Sequence, residues 1–135
     1  MDFSEQYIKM CQQATEIQKQ WTLNDGDFFI TPPHYDVPTS LCDKCNVIDN
    51  LGNTHIHEMN QHNFIWLPRW DELYEMIFDE YSDPNSLISA LHKMYLYQID
   101  YVLQFSTTEQ LLLCFVMSEK FNKKWDTSKE NWVDK

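Results

Sequence analysis

Four residues carry the sharpest chemistry in the chain: Cys42 and Cys45, spaced Cys-x-x-Cys, and His55 and His57, spaced His-x-His, with His62 close behind. A Cys-x-x-Cys turn can present two thiolates to one metal ion. Residues two apart on a strand share a face, so His55 and His57 can approach together. Two sulfurs and two imidazole nitrogens would complete a closed tetrahedral zinc site, a staple suited to a stretch poor in apolar residues. The spacing argues the other way. Zinc sites that use two histidines usually hold them three to five residues apart, and no second Cys-x-x-Cys follows. The plainer reading is a β-hairpin whose Cys and His alternate between its two sides. A redox role for Cys42 and Cys45 lacks the strand–motif–helix setting that thioredoxin-like chemistry uses.

The other thiols, Cys11 and Cys114, fall on apolar helical stripes and read as small buried hydrophobes. A Cys–His pair with His92 as base is the one nucleophile arrangement available. No nucleophile–base–orienter set is apparent, so a non-enzymatic protein is expected. Gly26 and Gly52 are the only glycines, which leaves no phosphate-binding loop.

Charge points to a different kind of function. The chain has 21 acids against 10 Lys and Arg, a net charge of −11. That surface repels a nucleic-acid backbone, so direct DNA or RNA binding is not expected. It can attract a basic protein surface and speed the encounter. From Asp71 to Asp83 there are six acids and no base. Asp71, Glu72, Glu75, Asp79 and Glu80, with Trp70 or Trp66 as an aromatic anchor, form the candidate partner-binding set; a solvated helix face is the bland alternative. Carboxylates along a helix can also imitate the phosphates of DNA.

The elements that must position these residues are legible. Ser4 caps a helix to about Trp21 whose stripe is Tyr7, Ile8, Cys11, Ala14, Ile17 and Trp21. Phe28 to Thr31 reads as a strand closed by Pro32-Pro33. Val47-Ile48 and Thr54-His55-Ile56 read as the arms of a hairpin, and Asn63 to Leu67 as a further strand. A second helix runs from about Pro68 to Tyr81. Trp70, Leu73, Tyr74, Ile77 and Phe78 lie on its inner face, and Asp71, Glu72, Glu75 and Asp79 on the outer one. Asp83-Pro84 opens a third helix reaching about Phe105. Ser106-Thr107-Thr108-Glu109 has capping-box spacing and opens a fourth, to about Asn122, that should be the most buried and lie beside the third. Trp125, Trp132 and Val133 should dock a polar tail, residues 125–135.

The expected architecture is a single α+β domain over residues 1–135: about four helices on a small antiparallel sheet of three to four strands made from residues 27–67. Within it, 34–63 form a variable hairpin or loop region. The 15% aromatic share, with five Trp, eight Phe and seven Tyr, argues for a folded chain. No basic, apolar leader is visible and the longest apolar run, Leu111 to Met117, is too short to span a bilayer, so a cytoplasmic protein with reduced thiols and no membrane contact is expected.

Three pieces of the chain resemble a group of small, uncharacterised proteins encoded by bacteriophages and prophages. They are Asn24-Asp25-Gly26-Asp27-Phe28-Phe29, then Ile65-Trp66-Leu67-Pro68-Arg69 with Leu73-Tyr74-Glu75-Met76, then Phe115-Val116-Met117-Ser118-Glu119-Lys120 with Trp125. Their order covers most of the chain except residues 34–63. The group usually has a polar residue where this chain has Trp70. The resemblance implies a phage accessory context; together with the net charge it leads us to expect a protein of the host cytoplasm that binds, and inhibits, a host protein, in the manner of anti-defence proteins or nucleic-acid mimics. It implies no catalytic residue.

Overall fold

A computed structural model describes residues 1–22, 26–30, 39–42, 46–48, 54–56, 65–81 and 83–135; for 39–42, 46–48 and 54–56 the description is of the backbone. The fold is mixed α+β, as expected. Its contacts divide it into two compact units, residues 3–68 and residues 1–2 with 69–135.

In the first unit, helix α1 (Glu5–Gln13) starts where Ser4 accepts a hydrogen bond from the Tyr7 N–H at 3.2 Å. The expected single helix to Trp21 is broken at Ala14, whose ψ of 63° leaves the helical region, and α2 (Thr15–Gln20) follows. A sheet of five short antiparallel strands takes in β1 (Phe28–Ile30), β2 (Thr39–Cys42), β3 (Asn46–Ile48), β4 (Thr54–Ile56) and β5 (Ile65–Leu67), in the order β4-β3-β2-β1-β5. The expected β3–β4 hairpin is present, with Asn46 opposite Ile56 and Ile48 opposite Thr54. Phe29 pairs with Trp66 and Ile30 with Ile65. Helix α1 packs on β5. Tyr7, Met10, Cys11, Ile17, Phe29, Ile30 and Leu67 are almost fully buried there, and the Tyr7 hydroxyl donates to the Pro68 carbonyl. Trp21 stacks on Trp66, ring centres 5.9 Å apart and planes 4° from parallel, while its Nε1 donates to the buried Asp27 carboxylate at 2.8 Å.

In the second unit, α3 (Trp70–Phe78) begins two residues later than Pro68, with Arg69 at the cap and its N–H donating to the Glu72 carboxylate at 2.7 Å. Asp83 caps α4 (Pro84–Tyr97), accepting from the Ser86 N–H at 2.9 Å, as expected from Asp-Pro. Gln98, with ψ 37°, ends α4 and α5 (Ile99–Val102) follows, where one uninterrupted helix was expected. Helix α6 (Thr108–Phe121) is capped by Thr107 rather than Ser106; Gln110 donates its N–H to the Thr107 hydroxyl and accepts from the Ser106 N–H. Leu112 to Met117 are all buried, so α6 is the centre of this unit, as its all-round apolar run implied. Its close neighbours are α3 and strand β6 (Lys123–Asp126), rather than α4.

The expected polar tail is instead a β-hairpin. Strand β6 pairs with β7 (Asn131–Asp134), and Trp125 faces Trp132 across it with ring centres 5.1 Å apart. Asn122, at φ 54°, turns the chain from α6 into β6. Asparagine tolerates that left-handed conformation better than most residues, and it takes the place a glycine often holds at a helix end.

Candidate functional site

Helix α3 carries the surface of interest. Its two buried side chains are Leu73 and Ile77, four residues apart and aimed at the core. Most of the other residues, with the cap residue Asp79, sort into two parallel rows. Trp70, Tyr74 and Phe78 form an aromatic row, spaced i, i+4, i+8. Asp71, Glu75 and Asp79 form an acidic row, one position further round at the same spacing. At 100° per residue the two rows lie side by side.

The placement corrects the expectation for the aromatic row. Trp70 and Phe78 were expected to pin the helix to the core. Trp70 is 55% exposed and Phe78 41%. Tyr74 is half-buried and touches Phe78, ring centres 5.6 Å apart. The helix buries a narrower stripe than its periodicity suggested, because the core on that side needs only Leu73 and Ile77. Trp66, the other anchor candidate, is buried under Trp21 and is not available on the surface. Its Nε1 has no hydrogen-bond partner among the described residues.

The six acids that sequence grouped together have separate fates. Arg69 holds two of them, its Nε 3.2 Å from Asp71 and its Nη2 3.2 Å from Glu72. Lys120 of α6 reaches Glu80 at 3.8 Å and donates to the Met76 carbonyl at 2.7 Å, so it also satisfies the end of α3. Asp83 caps α4. Glu75 and Asp79 are exposed and make no ion pair among the described residues. Asp79 moreover stands at the C-terminal end of α3, where a negative charge opposes the helix dipole. The Arg69–Asp71 pair is only half-buried and open to screening, so it leaves Asp71 partly available.

The cysteine chemistry is closed off at Cys114. Burial pushes its thiol well above the ordinary range, the neighbouring Tyr101 hydroxyl offsetting only part of that. A thiol held protonated is a poor nucleophile. His92 is exposed on α4, and no hydrogen bond joins it to a cysteine among the described residues. The same burial raises the Tyr101 phenol, whose oxygen accepts from the Trp125 N–H at 2.7 Å and ties the hairpin to α5. Cys11 is buried on α1.

Of the proposed metal ligands, Cys45 and His57 lie outside the described residues, as does His62. Cys42 and His55 are placed by their backbone alone. Cys42 pairs with Asn46, which pairs with Ile56; Leu41 pairs with Val47, which pairs with His55. Cys42 and His55 therefore fall in neighbouring cross-strand rows and not in one row. Among the described residues no group of three or more His, Cys, Asp or Glu is placed to hold a metal ion. No helix of the described residues is long and apolar enough to cross a membrane.

No protein-family model matches the chain, and comparison with curated proteins and with solved structures gives no match.

Proposed function

We propose that the chain is a non-enzymatic, phage-type accessory protein of the host cytoplasm that binds and inhibits a host protein, with α3 as the contact. The observation that carries the reading is the pairing of rows on one short helix. Trp70 and Phe78 stand exposed beside Asp71, Glu75 and Asp79. The carboxylates steer a basic partner into place, and the aromatic rings offer the apolar anchors and cation-binding faces that strong interfaces use. Arginine satisfies both rows at once, since its guanidinium pairs with carboxylates and stacks on rings. Asp79 costs its own helix stability through the dipole, which favours a use for that charge outside the fold.

The acidic row also supports the nucleic-acid-mimic form of the reading. Residues four apart rise about 6 Å along a helix. A nucleic-acid strand likewise presents a regular line of negative charges. Three carboxylates at that spacing fit a groove lined with Lys and Arg.

A pull-down from host lysate with mass spectrometry tests the proposal. The unaltered chain should retain a basic host protein at low salt and release it as salt rises. The E75K/D79K variant should fail to retain it while keeping its circular dichroism and a melting temperature no lower than the original. Retention of the same protein by both would remove α3 as the contact.

A further inference from the structure

A second surface on the same unit is unlike the acidic one. From Pro84 to Phe105 the only formal charges are Lys93 and Asp100, in a chain of net charge −11. This charge-poor segment is α4 and α5, and it exposes large apolar side chains. Ile88, Tyr95 and Leu96 on α4 and Ile99 on α5 are all exposed, as is Leu103 just after α5 at 68%. Ile88, Tyr95 and Leu96 lie on one side of α4 with His92 and the half-buried Leu91, and Ile99 and Leu103 follow beyond the turn at Gln98. The core side of α4 is served by Leu87 and Met94. Several large exposed apolar side chains gathered on one segment point to an interface.

We propose that this face is where two copies of the chain meet, with their α4–α5 segments antiparallel about a two-fold axis near Leu96. Charge selects the occupant. Two copies at −11 each repel wherever their acidic surfaces approach, and α4–α5, with one base and one acid, adds no net charge to that repulsion. The two charges present are also self-complementary. Lys93 stands three residues before Leu96 on α4, and Asp100 three before Leu103 at the end of α5, so each has the same offset from an exposed leucine. A two-fold axis across this face sets it against the same face of the second copy and reverses the chain direction. Lys93 of each copy then meets Asp100 of the other, with the axis midway between them, beside Leu96. Both residues are exposed and neither forms an ion pair among the described residues, so both remain available for the pairing. The arrangement is closed: each copy uses the same patch, and no edge is left to recruit a third. It does not depend on the role assigned to α3, which lies outside the contact.

Sedimentation equilibrium of the full chain over a range of concentrations tests it. The expected species has twice the 16.3 kDa mass of the chain. I88D and L96D change exposed positions and should shift the equilibrium to monomer. K93D places acid against acid twice per dimer and should weaken association by roughly tenfold, two surface pairs being involved. D100K should do the same, and the K93D/D100K double variant should regain the original affinity. A monomer at all concentrations would overturn the proposal and leave the face to a different protein. So would a dimer indifferent to L96D. A charge swap that fails to restore association would equally overturn the antiparallel pairing, and that measurement needs no apolar position altered.

Discussion

The side chain of Gln18 hydrogen-bonds the backbone of Trp66 as a neighbouring strand would. Its Nε2 donates to the Trp66 carbonyl at 2.9 Å, and its Oε1 accepts the Trp66 N–H at 2.9 Å. Strand β5 is at one edge of the sheet, and an edge with unpaired N–H and C=O groups invites pairing with other chains. One glutamine from α2 closes that edge at its centre. A third bond, from the same Nε2 to the Cys11 carbonyl at 3.0 Å, also covers the break between α1 and α2.

Removing that amide should therefore cost more than an ordinary surface change. Gln18→Ala leaves the Trp66 N–H and carbonyl without their partner, and we expect a loss of about 1–3 kcal/mol. Gln18→Glu should be no better at neutral pH, because a carboxylate accepts the N–H but sets its charge against the carbonyl. Urea denaturation of the three proteins checks this. A Gln18→Ala protein as stable as the original would show that the edge is closed by something else.

Tyr81 gives a pH signature. Its hydroxyl donates to the Glu119 carboxylate at 2.9 Å. Burial first, then that hydrogen bond and the charges of Glu119 and Glu80, push its pKa from 10.0 up to about 12. The folded state thus favours the neutral phenol. The stability this contributes is fully present below pH 10 and is lost as pH rises through about 12. Absorbance at 295 nm should show a tyrosine titrating at about pH 12, ahead of Tyr101, that is absent from Tyr81→Phe. Loss of an ordinary, earlier-titrating tyrosine in that variant would contradict the contact.

Asn122 is expected to tolerate glycine and little else. At φ 54° it lies in the left-handed region, and the Lys135 N–H donates to its carbonyl at 2.9 Å. Asn122→Gly should shift stability by no more than a few tenths of a kcal/mol, as glycine fits that conformation without steric cost. Asn122→Val should cost about 1–2 kcal/mol, because Cβ crowds the following carbonyl there. Thermal melts of the two variants should therefore separate clearly, and equal melting temperatures would count against the turn.

Much of this architecture was legible in the residues. Pro68 between Ile65-Trp66-Leu67 and the α3 stripe marks the change from strand to helix, because it cannot donate to a ladder and has a helical φ. Asp83-Pro84 announced α4, and the apolar run from Leu111 announced a buried α6. The breaks at Ala14 and Gln98 were hidden, since neither residue is a glycine or a proline. The β6–β7 hairpin was hidden for a related reason. Its turn has no glycine, and Glu130 takes the positive φ of 48° that a turn signal would ordinarily advertise. The acidic half of the candidate site was plain from charge. In the aromatic half Trp70 is an anchor candidate, yet it falls with Phe78 on the expected inner face, because both have the spacing of a core stripe. Only the partner of that stripe, α6, shows that Leu73 and Ile77 suffice.

The most direct test of the α3 contact is the dissociation constant for the captured host protein, measured against sodium chloride concentration for the unaltered chain and for E75K/D79K. We expect the unaltered chain to bind tightest at low salt and to weaken steadily as salt rises. The variant should bind at least about tenfold more weakly at low salt, with a flatter dependence, as loss of complementary charge requires. Equal affinities with equal salt slopes would contradict the account.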